Sequence, residues 1–445
     1  MRAFFARSIS AIGGFLTPKT IAARFIDRIR PPLITTEDRN AWYLQVEVFW
    51  AAFFGVAAAF NGAFAVRLGA TDTYIGWLSS LPALLATVIS LPAGRFLESR
   101  RNPVPWILNS LLIHRLCFLI VILVPWVVPR ERQGLVLVLV LVGMTIPAHF
   151  FNVGFNALLA DVIPERKRAG VFTARNVLSG IVVSTGTFLA GQWLSRAPFP
   201  FNYQVLYLVG LLGSLVSMYY LHLLRRPENM ALKPEPVRAR TAKPGIKERW
   251  QQMRAMVAQN SDFIRFNINT LAYNIAAWVV APLYILFFVR ELGASDAWIG
   301  LNGTLTNGGV IFGWLLWRRI MNRWGESKTL KTTVMLMGFY PLLVGLSRNL
   351  TFILLAGVLI NLVAPGISLS HYNTLLKVCP AEKRNTFMAI YITIMNMGAF
   401  ICPFIGIALS RQFGLGPTLI GMGLFWFLGA SLFILLPLRV PDTPR

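Results

Sequence analysis

Twelve stretches of this chain are apolar over the ~20 residues that a helix needs to cross about 30 Å of hydrocarbon. They run 42–66, 74–96, 104–128, 134–160, 170–195, 203–224, 263–289, 298–317, 329–347, 351–376, 386–409 and 417–438. Hydrophobic residues make up 56 % of the chain and charged ones 13 %, against roughly 25 % charged in soluble domains. A chain of this kind cannot cover its own apolar surface with polar groups, so an ordinary soluble enzyme is excluded. The only long polar stretch is 225–262, where Pro227, Pro234, Pro236 and Pro244 lie among Lys and Arg. It reads as a linker. Trp250, Met253 and Val257 at helical spacing within it predict a short helix on the membrane surface. The expected organisation is a segment 1–40, a bundle 41–224, the linker 225–262, a second bundle 263–438 and a tail 439–445.

The formal net charge of +24 would fit nucleic-acid binding or membrane topology. Alternating the sides of the spans decides between them. With the N-terminus inside, inner segments take 33 Lys+Arg, while the outer loops take 7: Arg67, Arg130, Arg132, Arg196, Arg290, Arg348 and Arg411. That asymmetry is an orientation signal and needs no nucleic-acid partner. Both termini are expected in the cytoplasm of a bacterial-type inner membrane. Residues 1–39 lack the apolar core of a cleavable signal. Ile21, Phe25, Ile26 and Ile29 share a helical side among Lys19, Arg24, Arg28 and Arg30, as in an interfacial helix resting on membrane lipid. Cys117, Cys379 and Cys402 show no disulfide or metal-ligand spacing. No metal or cofactor motif is present, and a monomer is expected.

The chain repeats itself. Leu68-Gly69-Ala70-Thr71-Asp72-Thr73-Tyr74-Ile75-Gly76 returns as Leu292-Gly293-Ala294-Ser295-Asp296-Ala297-Trp298-Ile299-Gly300, an offset of 224. Each copy joins the first two spans of its half on the outer side. Asn156 to Arg168 is echoed by Asn373 to Arg384, and Leu194-Ser195-Arg196 by Leu409-Ser410-Arg411. Two six-span halves in parallel repeat about a linker are a transporter architecture.

Over residues 40 to 440 the chain resembles the major facilitator superfamily of transporters. That family's signature between spans two and three reads Gly-x-x-x-Asp-Arg-x-Gly-Arg-Arg. Here Gly94-Arg95-Phe96-Leu97-Glu98-Ser99-Arg100-Arg101 keeps the glycine and an acid, and Asn322-Arg323-Trp324-Gly325-Glu326-Ser327-Lys328 keeps Arg-x-Gly in the second half. The resemblance implies an all-α membrane protein with twelve transmembrane helices in two pseudo-symmetric bundles around a central cavity. It also implies that Gly94, Arg95, Glu98, Arg101, Asn322, Arg323 and Gly325 form an inner gate whose contacts break as the cytoplasmic mouth opens. The alternative is that the arginines only mark the inner side.

The resemblance implies that spans one, four, seven and ten line the cavity. Thr145, His149, Asn152 and Asn156 step by 4, 3 and 4 along span four. Asn361, Pro365, Ser368 and Tyr372 step identically in span ten, with His371 beside them. Span seven adds Asn267, Thr270 and Asn274, next to Tyr273. Such stripes must face protein or water, as a substrate-binding lining or as interhelical hydrogen bonds. Glu47 is the only acid well inside a span. It can carry a proton, bind a cation, or pair with Arg115 or Arg175, the two arginines within spans. His149 is the next proton candidate. The drug-antiporter run in span five is missing, as are paired carboxylates or a nucleophile–base set, so an enzyme is not expected. The function expected is proton-coupled secondary transport of a small organic solute, export being preferred over import. The alternative is a non-transporting assembly or chaperone partner of another membrane complex.

The charge asymmetry fixes an observable topology. A cysteine replacing Arg132 is expected to react with an impermeant maleimide added outside intact cells, and one replacing Arg323 only after lysis. The reverse pattern overturns the orientation.

Overall fold

The computed structural model describes residues 35–100, 102–225, 254, 256–380 and 383–438. The basic segment before residue 35, most of the linker with Trp250 and Met253, Arg101 and the tail lie outside the described residues. Among those described there is helix and turn, and no strand. Span one is Thr36–Ala58 continued by Asn61–Arg67, span two Asp72–Glu98, span three Val104–Val127. Span four is Arg130–Gly143 and Thr145–Val162, span five Glu165–Arg196, span six Phe201–His222. Span seven is Ser261–Leu286 running into a π-turn at Phe287–Glu291, and span eight is Asp296–Trp324. Span nine is Glu326–Met337 and Phe339–Leu346, followed by span ten Leu350–Val378, eleven Arg384–Phe413 and twelve Leu415–Leu435. Eleven of these are long and apolar enough to cross a membrane. Span eight has the length, with 29 residues, but Asn302, Thr304, Thr306 and Asn307 dilute its apolar character.

The repeat builds the same turn twice. Gly69 and Gly293 take φ of +81° and +61°, the left-handed region open to glycine. Thr71 and Ser295 then cap spans two and eight, their hydroxyls accepting from the N–H of Tyr74 and Trp298. Asp72 and Asp296 follow in the first turn, where the helix dipole favours a negative charge. Span four breaks at Met144, and Pro147 falls in the first turn of the second piece, where its missing N–H leaves no internal bond unmade.

The packing repeats with a shift of six spans. Span one lies on five and six, and span seven on eleven and twelve. Two meets four as eight meets ten, and three meets four and six as nine meets ten and twelve. The halves join through span two on eleven and span five on eight. Gly191 and Gly300 let five and eight touch backbone to backbone: a Cβ on Gly300 would lie 2.4 Å from the Thr187 carbonyl oxygen. Ile113, Leu119, Ile120 and Leu123 of span three, and Leu424 and Leu428 of span twelve, are exposed on the perimeter, as lipid-facing side chains should be.

The buried apolar side chains fall into three clusters. One crosses both halves at the end of the repeated turns and includes Phe64, Tyr203 and Tyr207 with Leu286, Phe287 and Val344. At the inner end each half has its own, around Leu44, Ile107 and Leu159 in the first and Phe266, Leu375 and Phe387 in the second. The molecule is thus sealed across the halves at the end that carries the Leu68–Gly76 and Leu292–Gly300 turns and divided at the opposite end.

Crossed ion pairs reinforce the seal. Arg67 Nε lies 3.0 Å from Asp296 Oδ1, and its Nη2 donates to the Ala294 carbonyl at 3.4 Å. Arg290 mirrors this from the other half, pairing with Asp72 and donating to the Ala70 carbonyl. Each copy of the repeat therefore receives the arginine of the opposite half. Arg411 Nη2 donates to Thr73 Oγ1 at 2.5 Å, the Ala297 N–H to Ser195 Oγ at 2.8 Å, and Tyr203 OH to Asp296 Oδ1 at 2.7 Å.

Partly exposed pairs of this kind contribute about 0–1 kcal/mol each. Replacing Asp72→Asn and Asp296→Asn together is expected to raise the outward-open population about three- to tenfold. Spin-label distances between positions 132 and 413 read this as growth of a longer-distance component. An unchanged distribution shows that the pairs do not hold the outer end closed.

Candidate functional site

Membrane-embedded charge gathers inside the first half. Glu47, 4 % exposed, lies 2.5 Å from Arg175 Nη1 through Oε2 and accepts from Ser217 Oγ at 3.0 Å through Oε1. Arg175 Nη1 also donates to the Leu44 carbonyl at 2.6 Å, and its guanidinium lies 5.3 Å from the Phe155 ring centroid. The cluster joins spans one, five and six. Of the two arginines open to Glu47 in the sequence, the structure pairs it with Arg175. Arg115 is buried on span three, its guanidinium 4.1 Å from the Phe54 ring centroid. A central arginine costs about 2.5–3.5 kcal/mol on insertion scales, and a cation–π contact returns about 0.5–2 kcal/mol of it.

The second half presents neutral polar and aromatic groups instead. His371 Nε2 lies 3.1 Å from Thr270 Oγ1 and 3.4 Å from Tyr391 OH, with its ring 4.7 Å from Phe266. This brings spans seven, ten and eleven together. Asn267, Asn274 and Asn361 each turn their amide N–H back on the carbonyl four residues earlier. That satisfies the donors within one helix, and it leaves the buried Asn267 Oδ1 without a hydrogen-bond partner.

The expected cavity stripes are placed unevenly. Thr145 Oγ1 donates to the Val142 carbonyl at 2.7 Å and secures the break in span four. His149 is half-buried, and Asn152, Ser368 and Tyr372 are exposed. The side chain of Asn156 lies outside the described residues. Tyr273 differs from its expected place: it is buried on Trp426 and Phe433 of the second bundle's core. Its neighbour Asn274 sits about 100° around the helix, so the two cannot face the same way. Ser217 and Tyr391 belong to the clusters although no spacing singled them out.

The inner-loop residues are apart. Arg95, Glu98, Asn322 and Arg323 are exposed and form no ion pair among the described residues. Gly94 packs near Val153, and Gly325 turns between spans eight and nine at φ +76°. Glu326 pairs with Lys377 within its own half. In this conformation the two signature segments do not meet across the halves.

A two-bundle helical membrane protein, sealed at one end and divided at the other, is the class that these features define. The family model described as Major Facilitator Superfamily matches residues 43–261 and 266–445, and the chain belongs to that family of transporters. It is a transporter of some solute and not an enzyme. Among solved structures, a bacterial homologue of the human lysosomal transporter Spinster, inward-facing and unoccupied, is similar at TM-score 0.64 and 13 % identity, over 89 % of this chain and 96 % of that one. The nucleoside transporter NupG gives 0.66 at 10 % identity over 89 % and 100 %. A D-xylose–proton symporter gives 0.61 at 13 % over 91 % and 97 %. At these identities the likeness concerns the fold alone. No curated protein matches the chain by sequence.

Removing one partner of a buried ion pair costs about 3–5 kcal/mol. Arg175→Met is expected to lower the melting temperature sharply, and Arg175→Met with Glu47→Leu to recover most of the loss. Additive losses in a double-mutant cycle would show that the two side chains do not share their energy.

Proposed function

We propose that the chain is a proton-coupled secondary transporter of a small organic solute, working as a monomer in a bacterial-type inner membrane with both termini in the cytoplasm. The observation that carries this reading is the division of the core: one cluster bridges the halves at the outer end, and two separate clusters stand at the inner end. Such a molecule exchanges which end is sealed by rocking its halves, with no ATP-binding loop to drive it. The state described presents its centre to the cytoplasmic side in the expected orientation, and export is proposed over import.

Glu47 is the proposed proton carrier, because it is the one carboxylate at membrane depth among the described residues and its partner Arg175 competes directly with a proton for it. His149 is the second proposed site. Thr145, His149 and Asn152 from the first half, and Asn267, Thr270, Asn361, Ser368 and His371 from the second, are proposed to meet the solute. The gate at Arg95, Glu98, Asn322 and Arg323 is proposed to form in the opposite state.

A solute found by thermal-shift screening supplies the assay. In proteoliposomes, Glu47→Gln with Arg175→Gln, a pair chosen to leave no unpaired buried charge, is expected to keep counterflow and lose accumulation driven by a pH gradient. Retained proton-driven accumulation removes Glu47 as carrier. Failure of every solute to exchange, in folded wild-type protein, removes the transport reading itself.

A further inference from the structure

Two seams related by the repeat join the halves, spans five and eight on one side and spans two and eleven on the other. They are built differently. On span five, Gly180, Ser184, Thr187, Gly191 and Ser195 step by 4, 3, 4 and 4, which is one face of a helix. Each of them meets span eight. Ser195 Oγ accepts from the Ala297 N–H at 2.8 Å, and a Cβ on Gly191 would lie 2.7 Å from the Asp296 carbonyl oxygen. Thr187 Oγ1 lies 3.2 Å from Thr304 Oγ1, and the Ser184 and Thr304 hydroxyls donate to each other's carbonyls. A Cβ on Gly180 would lie 3.9 Å from Ile311 Cδ1. From Gly180 to Ser195 the contact runs about 22 Å at 1.5 Å per residue.

Spans two and eleven meet through side chains. Thr73 Oγ1 accepts from Arg411 Nη2 at the rim, and a Cβ on Gly76 would lie 3.0 Å from Ile407 Cγ1. Deeper hydroxyls turn back on their own helix: Ser80 on Gly76, Thr87 on Ala83, Ser90 on Ala86 and Thr393 on Ala389. Pro82 and Pro92 lie inside span two and Pro403 inside span eleven, whereas spans five and eight contain no proline. An internal proline removes a hydrogen bond and lets a helix bend.

The crossed ion pairs divide in the same way. Asp296, at the five–eight seam, has a side chain 7 % exposed, and one of its oxygens takes both Arg67 Nε and the Tyr203 hydroxyl. Asp72, at the two–eleven seam, has a side chain 31 % exposed and pairs with Arg290. Span twelve, the counterpart of span six, has no tyrosine to add to it.

We propose that the sealed end opens on one side only: spans two and eleven part there, while spans five and eight stay together as the hinge. This rests on the transport reading above, in which this end must open. Parting spans five and eight would uncover hydroxyls and backbone that serve each other in a medium with no other hydrogen-bonding partners. Parting spans two and eleven breaks side-chain packing, one rim hydrogen bond and a partly exposed ion pair. The mouth then lies between spans two and eleven, and Asp72 and Arg290 separate as it forms.

The test uses the purified full chain in lipid nanodiscs, with spin labels at 132 and 413 across the two–eleven side or at 196 and 348 across the five–eight side. Asp72→Asn is expected to enlarge a longer 132–413 component about two- to fivefold. The 196–348 distance should stay single and unmoved. Asp296→Asn should enlarge the 132–413 component less than twofold, because its pair stays closed in both states. The hinge is overturned if both distances lengthen together, if only the 196–348 distance lengthens, or if Asp296→Asn opens the mouth as far as Asp72→Asn does. Should neither distance change in Asp72→Asn, the proposal falls as well. Counterflow in proteoliposomes judges the transport reading separately: flux with a symmetric opening fells the hinge and leaves transport standing.

Discussion

Hydrocarbon supplies no hydrogen bonds, and the polar groups of this protein are arranged around that lack. The backbone is satisfied by helices. Most hydroxyls and amides within the spans follow the same rule locally: Ser80 donates to the Gly76 carbonyl, Thr333 to Thr329, Thr374 to Ser370 and Asn274 to Thr270. A polar residue in a span is therefore often silent about its neighbours. The informative ones reach across helices, as Ser217 does to Glu47, Thr270 to His371 and Tyr207 to Asn61.

The seal between the halves combines weak and strong seams. Its crossed arginines are partly exposed, which keeps each pair within reach of thermal exchange. Spans five and eight form the firmer seam. Gly191 and Gly300 bring their backbones together, and Ser184 and Thr304 exchange hydroxyl-to-carbonyl hydrogen bonds at 3.1 and 2.7 Å. The related seam of spans two and eleven sets Gly76 against the side chain of Ile407. Related by repeat, the two seams are not equal, and the one between spans five and eight is the tighter.

The fold was legible in the sequence because a 20-residue apolar run and a one-sided distribution of arginine are strong signals with few alternatives. Span eight is apolar only in part, yet its place follows from the repeat at Leu292 to Gly300. The site was less legible. Arg67 and Arg290 read as exceptions to the charge rule, since they sit one residue out of register with the 224 offset and only the fold shows them crossing. A stripe on one helix fixes a face only for its own members, and Tyr273, about 100° around from Asn274, lies in the second core instead. Ser217 follows Ser214 by three residues in an apolar span, and nothing short of the packing of spans one and six marks it as the partner of Glu47.

Span five links the charge cluster to the seam. Arg175 holds one side of it to span one, while Ser184, Thr187 and Gly191 meet span eight. At 100° per residue, Arg175 and Ser184 stand about 180° apart around the helix. The same rod is therefore gripped on one face by Glu47 and on the opposite face by the other half. A carboxylate at Glu47 holds the guanidinium on the first face more firmly than the Leu44 carbonyl alone would. A charge buried inside one bundle can in this way bear on the interface between bundles without lying in it.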